Sequence, residues 1–89
     1  YLIVMKPKSE IASLKNLGPK SEAWLNAIGI YTRDDLQKIG AVGAFHLLKL
    51  RGYNPSLVLV YAIEGALRDV HWNELPPHIK AKLQREAAD

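Results

Sequence analysis

The sequence contains no cysteine, and this absence removes several classes of function at once. Without a thiol there is no disulfide framework, no thiolate metal site and no cysteine nucleophile. A chain without disulfides suits a reducing compartment, so we expect a cytoplasmic protein. The sequence also lacks a G-x-S-x-G nucleophile elbow, a P-loop and a dinucleotide-binding fingerprint. We therefore predict a non-enzymatic domain that needs no cofactor.

Long hydrophobic runs are missing as well. The most apolar stretch, PSLVLVYAIEGALR over 55–68, would be only about 21 Å long as a helix, which is too short to cross a bilayer. The N-terminal YLIVM has neither a preceding basic region nor a small-residue cleavage site, so it does not read as a secretory signal. Because the chain starts at Tyr1 rather than at Met, we expect a fragment of a longer protein. Residues 1–8 are then an extended segment or linker, used for self-association or an interdomain contact.

The stretch 55–68 is apolar on every face, and a helix of that kind must be buried. Asn54 followed by Pro55 is a helix start signal, because Asn can cap the first turn and Pro has no N–H group to leave unpaired. Three small residues make one side thin enough for another backbone to approach closely: Ala62, Gly65 and Ala66. We predict that this is the central core helix.

Apolar periodicity bounded by glycine and proline predicts further helices around it, over 9–17, 19–28, 32–39, 41–51 and 77–86. Thr32 and Asp35 have the spacing of a capping box, with Asp in place of the usual Glu. The sequence therefore predicts an all-α domain over 9–89, a compact bundle of five to six short helices around a buried central helix.

The basic charge of the chain is concentrated at its N-terminal end. The net charge is +3, and residues 1–20 carry four lysines against one glutamate. A basic surface attracts nucleic acid or an acidic protein equally well. The charge therefore leaves both kinds of partner open.

The stretch LKNLGPKSEAWLNAIGI over 14–30 resembles a helix-hairpin-helix, in which N–H groups at the start of the second helix hold a DNA phosphate. Such modules usually read Leu-Pro-Gly-Val-Gly, whereas this turn reads LGPKS and has one glycine. The resemblance implies phosphate contact by Gly18, Lys20 and Ser21, and the nearby positive charge adds Lys6, Lys8 and Lys15. The alternative is a turn with a purely structural role.

Five blocks in fixed order carry a wider resemblance: LGPKSEAWL, GIYTRDDL, GAVGAF, PSLVLVYAIEGAL and HWNELP. Together they resemble the C-terminal domain of the TfoX (Sxy) family of bacterial competence regulators, from about Leu14 to Pro77. The resemblance implies a role in switching on DNA-uptake genes, alongside the cyclic-AMP receptor protein. Family members commonly carry a separate α/β domain before this one.

Two hypotheses for function follow. The first is a regulatory domain that contacts the phosphate backbone of double-stranded DNA and positions a transcription complex without reading sequence. The second is a protein-interaction or self-association module that does not bind DNA directly, with a homodimer through the N-terminal segment as one form of it. The single glycine of the turn favours the second hypothesis, and the placement of Lys20 favours the first.

A metal site is the remaining alternative, because His71, Glu74 and His78 lie close together in sequence. They do not follow a metal-binding spacing, and such residues are ordinary in a turn. We expect His71 and Trp72 to pack or hydrogen-bond there instead, and we predict no metal site.

Overall fold

The computed structural model describes residues 8–88, which form four α-helices and two 3₁₀ turns without any strand. The helices are α1 (Pro19–Ala27), α2 (Arg33–Leu50), α3 (Leu57–Arg68) and α4 (Pro77–Ala88). The 3₁₀ turns are Ile11–Ser13 and Trp72–Glu74. The all-α prediction is confirmed, but five to six helices was an overcount. Within 8–88, no helix is both long and apolar enough to span a membrane.

Helix α3 is the central element and packs against α2, α4 and the second 3₁₀ turn. Its buried residues are Val60, Tyr61, Ala62, Ile63, Gly65 and Ala66. The helix begins at Leu57 rather than at the predicted Pro55, because Ser56 is extended (φ −93, ψ 165) and takes the N-cap position. Pro55 is buried instead of leading the helix. Asn54 is therefore not the cap, and its side chain stays exposed.

Helix α2 contains both of the helices that the sequence predicts on either side of Gly40. Gly40 has φ 79 and ψ 166, which is outside the helical region and easily adopted only by glycine. The chain kinks there, but the helical run extends from Arg33 to Leu50. The predicted break is real: α2 consists of two helices that meet at this kink without an intervening loop.

The predicted helix over 9–17 is wrong and accounts for the rest of the overcount. Only Ile11–Ser13 form a 3₁₀ turn, and Leu14 is already extended (φ −76, ψ 149). Asn16 then adopts a left-handed conformation with φ 71. A helix cannot continue through two such residues.

The physical reason is that backbone N–H groups of this stretch donate hydrogen bonds to residues that are distant in sequence. The Ala12 N–H donates to the Glu22 carboxylate at 2.8 Å, and the Glu10 N–H donates to the Tyr31 carbonyl at 2.9 Å. These partners offer the backbone an alternative to helical hydrogen bonds. Apolar periodicity within 9–17 contains no sign of them.

The capping box at the start of α2 is confirmed. The Asp35 N–H donates to the Thr32 hydroxyl at 3.1 Å, and the Asp35 carboxylate accepts from the N–H groups of Thr32 (3.2 Å) and Tyr31 (3.1 Å). Hydrogen bonds to the charged form lower the pKa of the Asp35 carboxyl below its ordinary value of 3.8, with the Tyr31 N–H the largest cause and Thr32 adding to it.

This lowered pKa predicts that the capping box weakens in acid. Because the folded-state pKa of Asp35 lies below its unfolded value, the extra stability is present above about pH 5 and is lost as the pH falls through the lowered pKa. We expect Asp35→Asn to reduce the melting temperature at pH 7 more than at pH 2.5, both measured by thermal unfolding. An equal reduction at the two pH values would show that the carboxylate charge does not contribute.

Candidate functional site

A pocket of about 360 Å³ opens between the first turns of α1 and α3. Helix α1 contributes Lys20, Ser21 and Trp24 to its lining. The other side is lined by Asn54, Ser56, Val58, Leu59 and Ala62, and Asn16 completes the wall. The pocket therefore joins the predicted phosphate-binding turn to the start of the central helix.

The pocket has both apolar and polar lining residues. Ala62 is buried, Leu59 and Trp24 are half-buried, and Val58 is half-exposed. The polar side chains of Lys20, Asn54 and Ser56 are exposed. The side chains of Ser21, Asn54 and Ser56 take part in no hydrogen bond with any residue of 8–88, so these groups are available to a ligand.

The first turn of α1 has backbone N–H groups that donate to no residue of 8–88. Its N-cap, Gly18, is extended (φ −133, ψ −168) and makes no side-chain cap, and Pro19 occupies the first helical position. Glu22 provides the first N–H group of α1 that makes a helical hydrogen bond, which it donates to the Gly18 carbonyl at 2.9 Å. Among residues 8–88, the N–H groups of Lys20 and Ser21 have no acceptor. They lie at the positive end of the helix dipole.

The Lys20 ammonium lies beside the pocket, 5.2 Å from the centroid of the Trp24 ring. The Trp24 ring also contacts the Tyr53 ring, with centroids 5.2 Å apart and planes tilted by 52°. An exposed cation over an aromatic ring is held only weakly, by about 0.5–1 kcal/mol. Lys20 can therefore exchange this contact for a stronger, charged partner.

Gly18 does not have the left-handed conformation that a hairpin glycine could provide. A Cβ atom at Gly18 would meet nothing within 4 Å, so the surface at this point is open. The left-handed residue of the turn is Asn16, two positions earlier. Gly18 thus offers space for close approach, but the fold does not require a glycine there.

The remaining predicted site residues are not gathered at the pocket. Lys15 and Lys8 are exposed, but neither lines it. Lys8 precedes Ser9, whose hydroxyl donates to the Glu22 carboxylate at 3.0 Å. Glu22 lies about half a turn from Lys20 around α1, so this part of the chain passes the opposite face of the helix. Lys6 lies outside the described residues.

Sequence reasoning assigned no role to Asn16, which holds the turn against the central helix. Its Nδ2 donates to the Val70 carbonyl at 2.9 Å and to the Ala62 carbonyl at 3.3 Å. Its Oδ1 accepts from the Trp72 N–H at 3.2 Å. The only available signal was that Asn tolerates left-handed φ better than most residues. The three partners are more than 45 positions away, so no local pattern points to them.

The sequence around the second 3₁₀ turn forms a packed connection. Trp72 stacks on Tyr61 with ring centroids 6.3 Å apart, and Lys80 lies over both rings at 5.5 and 5.7 Å. His71 accepts from the Asn73 N–H at 3.4 Å. In the part of the chain that the structure covers, no group of three His, Asp or Glu side chains could hold a metal ion.

Comparison of the chain with models of known protein families gives a match. The model of the TfoX C-terminal domain matches residues 7–87. The chain belongs to the TfoX C-terminal domain family. This confirms the resemblance carried by the five sequence blocks. The family suggests a competence-related domain and is not a known enzymatic family.

Two solved structures share the fold of this TfoX C-terminal domain. A triclinic crystal form of an uncharacterised Listeria monocytogenes protein is 28% identical, with a TM-score of 0.78 over 83% of this chain and 84% of that one. A tetragonal form of a Listeria monocytogenes protein of unknown function is also 28% identical, with a TM-score of 0.79 over 84% of this chain and 93% of that one. The comparison with curated proteins gave no match.

Proposed function

We propose that this TfoX C-terminal domain is a non-enzymatic regulatory domain of a cytoplasmic competence regulator and contacts DNA phosphates through the first turn of α1. The observation that carries the proposal is that the N–H groups of Lys20 and Ser21, beside the exposed Lys20 ammonium, have no acceptor among residues 8–88. Helix N-termini with free N–H groups bind phosphate readily. The open surface at Gly18 lets a phosphodiester backbone come close.

Contacts of this kind position a protein on DNA without reading its sequence. Sequence specificity would then come from another transcription component, for which the cyclic-AMP receptor protein is the candidate that the family suggests. Exposed Lys15 and Lys8 extend the positive charge beyond the pocket. Binding through few phosphates should be weak, with a Kd on the order of 10⁻⁴ to 10⁻⁶ M, and should decrease steeply with salt.

Reversing the charge of Lys20 tests this site. We expect Lys20→Glu to weaken duplex binding by about tenfold or more at low salt and to reduce the slope of log K against log salt by about one. The fold should remain intact, because Lys20 is exposed and a glutamate is favourable in the first turn of a helix. Fluorescence anisotropy of a short labelled duplex at several salt concentrations measures both quantities.

Lys82→Glu is the matched control, since it makes the same change in net charge at an exposed position on α4. It should reduce affinity far less than Lys20→Glu. Equal losses would mean that binding depends only on overall charge. Duplex binding that Lys20→Glu leaves unchanged would refute the assignment of the phosphate contact to α1.

The second candidate function is a protein-interaction or self-association module. It is favoured by three exposed apolar side chains, Leu50 at 81%, Val58 at 50% and Ile39 at 37% of their full exposure. Apolar side chains exposed in this way mark a protein contact surface when they form one contiguous patch. Absence of duplex binding even at low salt, together with concentration-dependent association in sedimentation, would support this candidate over the first.

A further inference from the structure

The proposed phosphate contact uses only the outer edge of the pocket and leaves its apolar part without a role. We propose that this part binds the base of an unpaired nucleotide whose phosphate lies at the first turn of α1. The base-binding role rests on the proposed function, because the phosphate holds the nucleotide in place. It changes the preferred ligand from duplex DNA to single-stranded DNA or an unpaired end.

The size of the pocket suits a ligand of this kind. Its volume of about 360 Å³ is at the lower end of the range of pockets that hold small molecules, which is roughly 300–1,000 Å³. Pockets of this class combine apolar walls with a few polar groups. A peptide helix would need a long groove, whereas one flat ring system needs only a recess of this size.

The groups around the pocket match the surface of a base, which has an apolar face and a polar edge. Trp24 and Leu59 offer the apolar contact. The amide of Asn54 and the hydroxyls of Ser21 and Ser56 can donate and accept hydrogen bonds at the edge. Lys20 is the single cation among the lining residues, so the pocket resembles a site for a polar ring more than one for an acidic peptide.

The position of Lys20 indicates how a nucleotide would enter. Its ammonium lies over a face of the Trp24 ring, 5.2 Å from the centroid, so the group over this face is an exposed lysine side chain. Once the ammonium moves to a phosphate, that face is free for a base. Stacking of bases on aromatic side chains is favourable for every base and therefore tolerates any sequence.

A paired base cannot use this pocket, because in a duplex both of its faces are covered by neighbouring bases. A base must leave the stack before it can enter a recess in a protein. In a single strand the bases are unpaired and less firmly stacked, so a base can leave the stack more easily. The geometry therefore predicts a preference for single strands over duplexes, added to the common phosphate contact.

The test compares an oligothymidine of about 12 nucleotides, a duplex of equal length, and an abasic strand that keeps the phosphates but lacks bases. In anisotropy titrations at one salt concentration, we expect wild-type protein to bind the oligothymidine about tenfold more tightly than the duplex. The abasic strand should lose this advantage. This comparison uses only unmodified protein, so it does not depend on the folding of a variant.

Two variants locate the effect. Trp24→Leu should remove the roughly tenfold advantage of oligothymidine over the duplex. Val58→Tyr, at a half-exposed position of the lining, should fill the pocket and have the same effect.

Equal binding of oligothymidine and duplex by the wild type would overturn the base-binding role but keep the phosphate contact. An advantage for oligothymidine that survives in both variants would overturn the assignment to this pocket. Failure of both strands to bind would overturn the proposed function and the base-binding role together.

Discussion

Replacing Asn16 by alanine is expected to lower the free energy of unfolding by about 3 kcal/mol. The side chain makes hydrogen bonds to three backbone groups, of Ala62, Val70 and Trp72. Removing it leaves partly buried backbone groups without partners, at roughly 1–3 kcal/mol in total, and alanine at φ 71 adds about 1–2 kcal/mol of backbone strain. Urea denaturation followed by far-ultraviolet circular dichroism measures the loss.

Asn16→Gly is the matched variant that separates the two causes. Glycine loses the same hydrogen bonds but accepts φ 71 without strain. We expect Asn16→Gly to be more stable than Asn16→Ala by about 1 kcal/mol and still clearly less stable than the wild type. Equal stability of the two variants would show that residue 16 is not held in the left-handed conformation. Wild-type stability in both would show that the contact contributes nothing.

Gly65→Ala is the second large effect, with an expected loss of about 2 kcal/mol. A Cβ atom at Gly65 would lie 2.5 Å from the Asn16 Nδ2, 2.7 Å from the Val70 carbonyl oxygen and 3.3 Å from the Trp72 Cα. Two of these atoms belong to the backbone, so they cannot move away cheaply. The gain of up to about 1 kcal/mol from helix propensity is smaller than the roughly 1–3 kcal/mol or more of overpacking. The same urea denaturation experiment shows whether Gly65→Ala lowers or raises the free energy of unfolding.

Gly43→Ala controls for helix propensity, since Gly43 lies inside α2. Its Cβ would meet only the Ile39 Cγ2 at 3.0 Å, and Ile39 is exposed and can move. We expect this variant to be neutral or slightly more stable than the wild type. A loss at Gly43 as large as that at Gly65 would mean that close approach is not the cause.

The two large effects arise at one contact, so they should not add. Removing the Asn16 side chain takes away one of the atoms that the new Cβ at Gly65 would meet. We expect the double variant Asn16→Gly with Gly65→Ala to be more stable than the sum of the single losses predicts, by about 0.5 kcal/mol or more. Strict additivity would place the strain of Gly65→Ala on the backbone atoms of Val70 and Trp72.

The helical elements could be predicted where their signals are local. The capping box of Thr32 and Asp35, the proline at the start of α1 and the glycine at the kink of α2 each act within a few residues. The thin side of α3 at Gly65 was also visible in the sequence, although its partner was not. The largest error lies where distant groups compete with local ones, in the stretch 9–17.

The candidate site also has one part that local sequence predicts and one part that only tertiary packing forms. The first turn of α1, with Lys20 and Ser21, is readable from LGPKS because a helix start after Gly-Pro leaves N–H groups unpaired. The opposite wall of the pocket was not predicted. The sequence predicts Asn54 as a helix cap, because Asn before Pro is an ordinary helix start signal. Only the packing of α1 beside the start of α3 brings these side chains to one recess.

By itself, the sequence determined the all-helical class, the N-termini of α1 and α2, and membership of the TfoX C-terminal domain family. These follow from interactions within one or two turns and from blocks in fixed order. Tertiary structure alone decided that 9–17 is not a helix, that Asn16 joins the turn to α3, and that a pocket forms. The physical reason is that hydrogen-bond partners more than 45 positions apart, such as Asn16 and Val70, meet only after the helices have packed.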